Sequence, residues 1–157
     1  MDLEALNIKN LPKKGYCDEC GDMVDFHVEH FQTRIHKVKG VEVMCDEYIG
    51  ICNKCGSHLW INPVEEYNLK KVYDLYKKKV GLLTTQEIKD IRKKRGMSQK
   101  QLAQFLSIGE KDITRYENGS IQTRAVDLMI RMVQDDTAYL VMSDVVNKTK
   151  SLQAKAE

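Results

Sequence analysis

Four of the five cysteines in the 157-residue chain form two identical pairs. Cys17 and Cys20 make the first pair, Cys52 and Cys55 make the second, and each pair is followed at once by a glycine. Two C-x-x-C-G loops that face each other supply four thiolates, which is the ligand set of a tetrahedral structural Zn²⁺. The glycine lets each loop curl so that backbone N–H groups can point at the sulfurs. The spacing therefore predicts a bound metal, with zinc as the first choice.

Four cysteine ligands close the coordination shell of the metal. A catalytic zinc keeps an open position for water beside three protein ligands, so we expect a structural site rather than a catalytic one. Iron in a rubredoxin-like electron carrier uses the same loops and is the alternative metal. Cys45 lacks the pair spacing and is predicted to be a small core residue. His58 follows Cys55 by three positions and is a weaker candidate for a substitute or indirect ligand.

The segment between the two cysteine pairs has the periodicity of strands. Apolar residues alternate with polar ones over residues 26–30 and again over residues 41–45. Lys39-Gly40 falls between the two runs and is a turn candidate. A small antiparallel sheet with a metal loop at each end is a zinc ribbon. Residues 1–61 are therefore predicted to form a zinc-binding domain.

An amphipathic helix is predicted to follow, from Asn62 to about Lys79. Asn62 suits the N-cap and Pro63 suits the first helical position. Apolar residues then recur at three- and four-residue spacing, and lysines occupy the other sides. Gly81 is expected to end this helix. We interpret residues 62–81 as a linker between two domains.

The stretch of residues 99–119, QKQLAQFLSIGEKDITRYENG, has the pattern of two short helices joined by a tight turn. Such a pair needs apolar inner faces, a small residue at the crossing and a branched residue in the second helix. These needs are met, in order, by Leu102, Ala103, Leu106, Ile108, Ile113 and Tyr116. Ser98 with Gln101 predicts a capping box, and Ser107 takes the turn position that needs a positive φ. The stretch predicts a helix-turn-helix whose second helix enters a DNA major groove.

Residues 91–119 resemble the Xre or lambda-repressor type of helix-turn-helix domain. The resemblance implies an all-α domain of five helices that binds operator DNA, usually as a dimer. It places Lys111 and Arg115 at the positions that read base edges, and Gln99 at a position that contacts a phosphate. The other residues expected to flank the DNA or to contact phosphates are Glu110, Thr114, Lys93 and Lys94.

The same resemblance implies an ion pair between Arg92 and Glu117. Beyond the motif, Thr123 is predicted to cap a fourth helix, and residues 138–146 are apolar enough for a further one. We assign this last helix to a homodimer interface, because a dimer reads two half-sites about one helical turn apart. The DNA-binding domain is therefore expected over residues 82–147 and a disordered tail over residues 148–157.

Charge is divided unevenly along the chain. Residues 1–61 carry 7 Lys and Arg against 10 Asp and Glu, a net charge of −3, whereas residues 62–157 carry 18 against 13, a net charge of +5. The basic excess lies with the helix-turn-helix, where phosphate contacts are needed.

We find no run of about 18 apolar residues and no signal-peptide layout at the N-terminus, so we expect the protein in the cytosol.

A zinc ribbon followed by an Xre-type helix-turn-helix resembles the MqsA (YgiT-type) antitoxin family over nearly the whole chain. The motifs that carry the resemblance are the two cysteine pairs and the word TRYENG at residues 114–119. The resemblance implies an α+β protein: a zinc domain that binds a toxin, then a lambda-repressor-like domain that dimerises on the promoter and represses its own operon. Lys111 stands where the family is expected to have asparagine, so the resemblance does not imply that the operator sequence matches that of the family.

Two other functions compete with this one. A stand-alone zinc-containing Xre-type regulator needs the same two domains without a toxin. An enzyme or electron carrier built on the metal is the weaker alternative, because we find no nucleophile–base pair, phosphate-binding loop or open ligand set in the sequence. The sequence therefore predicts a non-enzymatic regulator.

Overall fold

The computed structural model describes residues 11–153, and the chain divides into two compact units. The first unit ends at Tyr76 and the second begins at Lys77. Strands precede one long helix in the first unit, and the second unit is helical. This is the α+β class that the sequence predicts. The first unit continues past residue 61, where the zinc-binding domain was expected to end, and includes most of the segment interpreted as a linker.

The strands of the first unit form two antiparallel sheets within residues 11–76. The strands are β1 (Gly15–Cys17), β2 (Asp22–Val24), β3 (Phe26–Val38), β4 (Val41–Cys52) and β5 (His58–Leu59). Strand β1 pairs with β2, and β4 lies between β3 and β5. Strands β3 and β4 form a long hairpin whose turn residues, Lys39 and Gly40, have φ of 47° and 83°. Two positive φ values match the twist of the flanking strands, and the turn lies where the sequence predicts it.

The core of the first unit is built around the cysteine loops. Its buried side chains are Cys17, Val24, Val28, Cys52, Leu59, Ile61 and Val64. Gly50 of β4 lies so close to Ile61 that a Cβ atom there would be 2.6 Å from Cγ1 of Ile61. Two of the paired cysteines, Cys17 and Cys52, are also core residues. The conformation of the cysteine loops and the packing of the sheets therefore depend on each other.

Helix α1 (Asn62–Lys79) is attached to strand β4 by its first half. The side-chain amide of the buried Asn68 donates to the carbonyl of Tyr48 at 2.7 Å and accepts from the N–H of Tyr48 at 3.0 Å. Val64 is fully buried in the core of the same unit. These contacts are the physical reason why residues up to Tyr76 belong to the first unit and do not form a separate linker.

The helices of the second unit enclose its core. After the end of α1 they are α2 (Thr85–Lys94), α3 (Gln99–Phe105), α4 (Asp112–Glu117), α5 (Arg124–Gln134) and α6 (Asp136–Gln153). The core residues are Leu83, Ile88, Ile91, Leu102, Ala103, Leu106, Ile113, Tyr116, Val126, Ile130 and Val133. Ile108 is partly buried against them. Every apolar position that the sequence assigns to the helix-turn-helix therefore faces this core, and the predicted motif is confirmed.

Side chains cap helices α2, α3 and α5 of the second unit, and the caps at Ser98 and Thr123 lie where the sequence predicts them. Ser98 accepts from the N–H of Gln101 at 3.1 Å, and the Gln101 side chain accepts from the N–H of Ser98 at 2.7 Å. The same capping box joins Thr84 and Glu87 ahead of α2, and Thr123 caps α5. Each cap satisfies backbone N–H groups that a helix start leaves without a partner.

The turn between α3 and α4 depends on Ser107, whose φ is 53°. The N–H of Ser107 donates to the carbonyl of Gln104 at 3.1 Å, and the N–H of Ile108 donates to the carbonyl of Ala103 at 3.0 Å. These two bonds are those of a Schellman helix end, in which glycine usually takes the residue with positive φ. The structure therefore places the strained position at Ser107, as the sequence predicts.

Helix α6 is longer than the predicted segment 138–146. It runs from Asp136 to Gln153. Lys148 pairs with Asp144 at 2.6 Å, and the Thr149 hydroxyl donates to the carbonyl of Val145 at 3.0 Å. These contacts within the helix carry it into residues 148–157, where we expected disorder, and the residues after 153 lie outside the described part of the chain. No helix between residues 11 and 153 is long and apolar enough to cross a lipid bilayer.

Candidate metal centre and nucleic-acid interface

The four paired cysteines meet at one point of the first unit. Their Sγ atoms all lie within 4.8 Å of one another. The sulfurs of Cys17 and Cys55 are 3.5 Å apart, and those of Cys20 and Cys52 are 4.0 Å apart. Four sulfurs placed tetrahedrally at about 2.3 Å from a zinc ion are roughly 3.8 Å from one another, whereas a disulfide bond is about 2.05 Å long. The cluster therefore fits a metal ion, as predicted, and does not fit two disulfides.

Backbone groups of the second cysteine loop point at sulfur. The N–H groups of Lys54 and Cys55 lie 3.3 Å and 3.4 Å from Sγ of Cys52. Gly21 and Gly56, which follow the two pairs, have φ of 62° and 75°. Residues with a Cβ adopt such angles only with strain. The glycines thus allow the curl of the loops, and the N–H donors stabilise negative charge on the ligand sulfur of the second loop.

A serine that the cysteine spacing does not identify lies against the cluster. The Ser57 hydroxyl is 3.1 Å from Sγ of Cys17 and 3.0 Å from Sγ of Cys55. Hydrogen bonding to Ser57 lowers the pKa of Cys55 to about 6 and also lowers the pKa of Cys17. Contact with Cys55 instead raises the pKa of Cys20 to about 12, because neighbouring thiols oppose one another's ionisation. A bound cation removes that opposition, since thiolates are the metal-binding form.

The two other ligand candidates lie apart from the cluster. Cys45 is buried in β4, its S–H group lies 3.5 Å from the carbonyl of Asp46, and burial raises the pKa of its thiol. His58 is exposed, and its ring packs edge-on against Phe31 at 5.5 Å between centroids. Neither residue joins the cysteine cluster found within residues 11–153. The predicted core role of Cys45 is confirmed, and His58 is not a ligand in this arrangement.

Helix α4 has one buried side and one exposed basic side. Ile113 and Tyr116 are buried in the core of the second unit. Lys111 precedes the first residue of the helix, and Arg115 follows it by four positions, which places both on one side. Both are exposed, and Arg115 pairs with Asp112 of the same helix. The structure therefore brings the two predicted base-reading residues together on an accessible surface.

Gln99 and Thr114 lie at the junction of α3 and α4. The Thr114 hydroxyl donates to the side-chain oxygen of Gln99 at 2.9 Å, and the Gln99 amide nitrogen donates to Oε2 of Glu117 at 2.8 Å. Both residues are half-buried. The sequence assigned them to the DNA surface and missed this bracing between the two helices of the motif.

An ion pair joins α2 to α4, as predicted. Nε and Nη2 of Arg92 donate to the two carboxylate oxygens of Glu117 at 2.5 Å and 2.8 Å, and Nη1 donates to the carbonyl of Met97 at 2.8 Å. The Glu117 side chain is 1% exposed and that of Arg92 is 14% exposed. Burial alone raises the pKa of Glu117, but hydrogen bonds from Arg92 and Gln99 outweigh it and hold the pKa below its usual range.

The remaining DNA candidates lie on the exposed surface of the second unit. Lys93 and Lys94 are exposed in the last turn of α2. Glu110 is exposed in the turn before α4 and pairs with Lys100 of α3. The two lysines are thus accessible for phosphate contacts, whereas Glu110 is positioned to hold a neighbouring lysine.

A family model described as the antitoxin component of bacterial toxin-antitoxin systems, MqsA, matches residues 17–140. The match begins at the first cysteine of the metal cluster and ends within α6, so it includes both candidate sites. The chain belongs to the MqsA antitoxin family. The resemblance found in the sequence is thereby confirmed, and the family is regulatory rather than catalytic. The comparisons with curated proteins and with solved structures give no match.

Proposed function

We propose that the chain is the antitoxin of a type II toxin-antitoxin system that binds its toxin through the first unit and represses its own operon through the second. The family match carries this proposal, because it spans both units. Charge supports the division of roles. Residues 1–61 have a net charge of −3, which repels DNA and attracts a basic protein. Both proposed partners place the protein in the cytosol.

The metal of the cysteine cluster is proposed to be zinc. Cys17, Cys20, Cys52 and Cys55 would hold it with a closed tetrahedral shell, which is typical of structural zinc. The bound ion neutralises thiolates that otherwise oppose one another. Its role in this chain would be to tie the two loops to the core of the first unit.

The exposed basic side of α4 is proposed to read the operator. An arginine or lysine recognises guanine through the O6 and N7 acceptors in the major groove. Arg115 must leave Asp112 to make this contact, and Lys111 is already accessible. Gln99 uses one N–H of its amide for Glu117, and the other is proposed to contact a phosphate.

A homodimer is proposed through α6. Leu140, Val141 and Val145 of this helix are 68%, 62% and 58% exposed. Burying such side chains against a second copy is favourable at about 25 cal/mol per Å² of apolar area. A dimer would present two copies of α4 to two half-sites of the operator.

Replacing Arg115 by alanine is expected to weaken binding to operator DNA by about 1–3 kcal/mol and to leave non-specific binding nearly unchanged. The reason is that a bidentate contact to a base is lost, whereas the phosphate contacts of other residues remain. Fluorescence anisotropy with the promoter fragment and with a random duplex, at one salt concentration, measures both affinities. Equal losses on the two DNAs would contradict the base-reading role.

Lys93→Ala is the matched control for that substitution, because it also removes one exposed positive charge from the second unit. If Lys93 contacts a phosphate, its loss should weaken both DNAs equally and lower the slope of log affinity against log salt by about one. Arg115→Ala should differ from this control in its operator preference. Identical behaviour of the two variants would show that neither residue reads a base.

Capture of the native partner tests the toxin half of the proposal. The full-length protein is used as bait in its own host, and the bound proteins are identified by mass spectrometry after a high-salt wash, which removes partners held through DNA. One small protein in near-equal amount would support the antitoxin function. Retention of no protein would overturn it in favour of a stand-alone zinc-containing regulator.

A further inference from the structure

A groove of about 390 Å³ lies on the first unit, between the start of α1 and the β3–β4 hairpin. The groove is distinct from the cysteine cluster, because none of the four clustered cysteines lines it. The lining residues used below are Glu47, Trp60, Glu65, Glu66, Leu69 and Val72. No lysine or arginine is among the residues that line it. The groove therefore combines apolar surface from Trp60, Leu69 and Val72 with the carboxylates of three glutamates.

Trp60 supplies an exposed aromatic ring at this groove. Trp60 is 75% exposed. It is the only tryptophan in the sequence. The indole N–H donates to Oδ1 of Asn62 at 2.7 Å, which holds the ring in one orientation. An exposed and fixed tryptophan is typical of the residues that dominate protein interfaces. The face of an indole ring also attracts cations, and arginine most often.

The carboxylates around Trp60 are only partly neutralised within the protein. Glu47 is nearly buried, and its two carboxylate oxygens lie 3.5 Å from Nε of Arg34 and 2.8 Å from Nε2 of His36, which also lines the groove. Glu65 has no ion-pair partner within residues 11–153, and its pKa is raised because burial and the nearby Glu47 outweigh the opposing charge of Arg34. Glu66 is 71% exposed and lies 3.8 Å from Lys70, an exposed pair that neutralises little. The charge that is least compensated within the unit is therefore that of Glu65 and Glu66, and a cation that entered the groove would neutralise it.

The walls of the groove are held by buried contacts. Asn68 joins α1 to β4 through two hydrogen bonds to Tyr48, at 2.7 Å and 3.0 Å. Val72 of the groove floor is buried, whereas Leu69 is 50% exposed. A groove fixed in this way loses little conformational freedom when it is filled, which favours binding.

We propose that this groove receives an arginine side chain from the surface of the toxin. The inference rests on the proposed function, in which the first unit binds a toxin. A guanidinium group is planar, so it can stack on the indole of Trp60 and at the same time pair with Glu65 or Glu66. The methylene groups of the same side chain would lie against Leu69. A lysine has the charge without the plane and would fit less well.

Fluorescence of Trp60 tests the groove without knowledge of the toxin, because no other tryptophan contributes to the signal. The metal-loaded full-length protein is titrated at low salt with the peptide acetyl-GRGRG-amide and with the same peptide carrying citrulline in place of arginine. We expect a saturable change with the arginine peptide and at least fivefold weaker binding of the neutral citrulline peptide. No saturable change, or equal binding of both peptides, would overturn the proposal.

Two variants locate the contact. Glu65→Gln combined with Glu66→Gln should weaken binding of the arginine peptide at least fivefold, because the paired charges are removed and the shape is kept. Glu29→Gln combined with Glu42→Gln removes two exposed carboxylates of the same unit that do not line the groove, and it should leave binding unchanged. Equal weakening in both variants would mean that the peptide responds to overall charge and not to the groove.

The captured toxin tests the occupant. The variant with Glu65→Gln and Glu66→Gln should bind it at least tenfold more weakly than the wild type and the control with Glu29→Gln and Glu42→Gln. A toxin that binds all three proteins equally would overturn the groove as a docking site and leave the antitoxin function intact. Absence of any toxin from the wild-type bait would instead overturn the proposed function, so the two failures are distinguished by the wild-type protein alone.

Discussion

Removal of the metal is expected to unfold the first unit and to leave the helices of the second unit in place. Cys17 and Cys52 are core residues at 0% and 2% exposure, so loss of the ion disorders the loops and the packing of the sheets together. Structural zinc contributes roughly 10–16 kcal/mol of apparent binding free energy in zinc-finger peptides, whereas a small domain is stable by about 5–15 kcal/mol. Backbone amide NMR spectra, recorded during titration with a chelator, follow the two units separately.

Two substitutions on β4 provide the matched comparison. Cys52→Ala and Cys45→Ala each remove a buried thiol from the same strand, but only Cys52 belongs to the cluster. Elemental analysis should find one metal per chain in Cys45→Ala and a loss of metal in Cys52→Ala. Cys45→Ala should lower the free energy of unfolding by only about 1 kcal/mol. Full metal content in both variants would contradict the four-cysteine centre.

Replacing Glu117 by alanine is expected to lower the free energy of unfolding of the second unit by about 3–5 kcal/mol. The substitution leaves the guanidinium of Arg92, only 14% exposed, without its carboxylate partner, and it also removes the acceptor of Gln99. Urea denaturation followed by circular dichroism at 222 nm reports mainly on the helices and measures the change. The melting temperature should fall by roughly 10 °C or more.

An exposed pair of the same unit is the control for Glu117. Glu110 pairs with Lys100, and both side chains are more than half exposed, at 58% and 64%. Glu110→Ala should therefore change the free energy of unfolding by less than about 0.5 kcal/mol. The double variant Arg92→Ala, Glu117→Ala should be more stable than the sum of its single variants predicts. A Glu117→Ala melt like that of Glu110→Ala would show that the pair contributes nothing beyond an exposed contact.

The same carboxylate should make the second unit sensitive to acid. The pKa of Glu117 is lowered in the folded state, so its stabilisation is complete above the unfolded value of about 4.3 and is lost as the pH falls through the folded value. The pKa of Asp127 is lowered as well, because hydrogen bonds from Arg131 and others outweigh the opposing effect of burial. The variant Glu117→Gln has one titrating carboxylate fewer than the wild type. Its free energy of unfolding should therefore fall less steeply between pH 5 and pH 3 than that of the wild type.

Local patterns predicted much of this protein. The C-x-x-C-G loops, the Lys39-Gly40 turn and the Ser98 capping box all appear where the sequence places them. Each depends on groups that lie within a few residues of one another, so the chain needs no distant partner to form them. The helix-turn-helix was recognised for the same reason, because its inner positions follow the period of short helices.

Other features depend on which distant segments meet. Residues 62–81 were interpreted as a linker, but the first unit extends to Tyr76, and two hydrogen bonds between Asn68 and Tyr48 attach this part of α1 to β4. Gln99 was expected on the DNA surface, yet it also braces Glu117 across the helix-turn-helix. Neither contact follows a local period, so no pattern of spacing could have shown it.

The sequence by itself determined the four-cysteine cluster, the helix-turn-helix and the family, because these rest on spacing and on side-chain type. The tertiary structure decided that Ser57 touches two of the ligand sulfurs and that Trp60 meets carboxylates from β4 and α1 in one groove. Those groups are brought together by packing of the sheet, the loops and α1. Packing depends on the shape of whole surfaces, and a one-dimensional pattern does not record it.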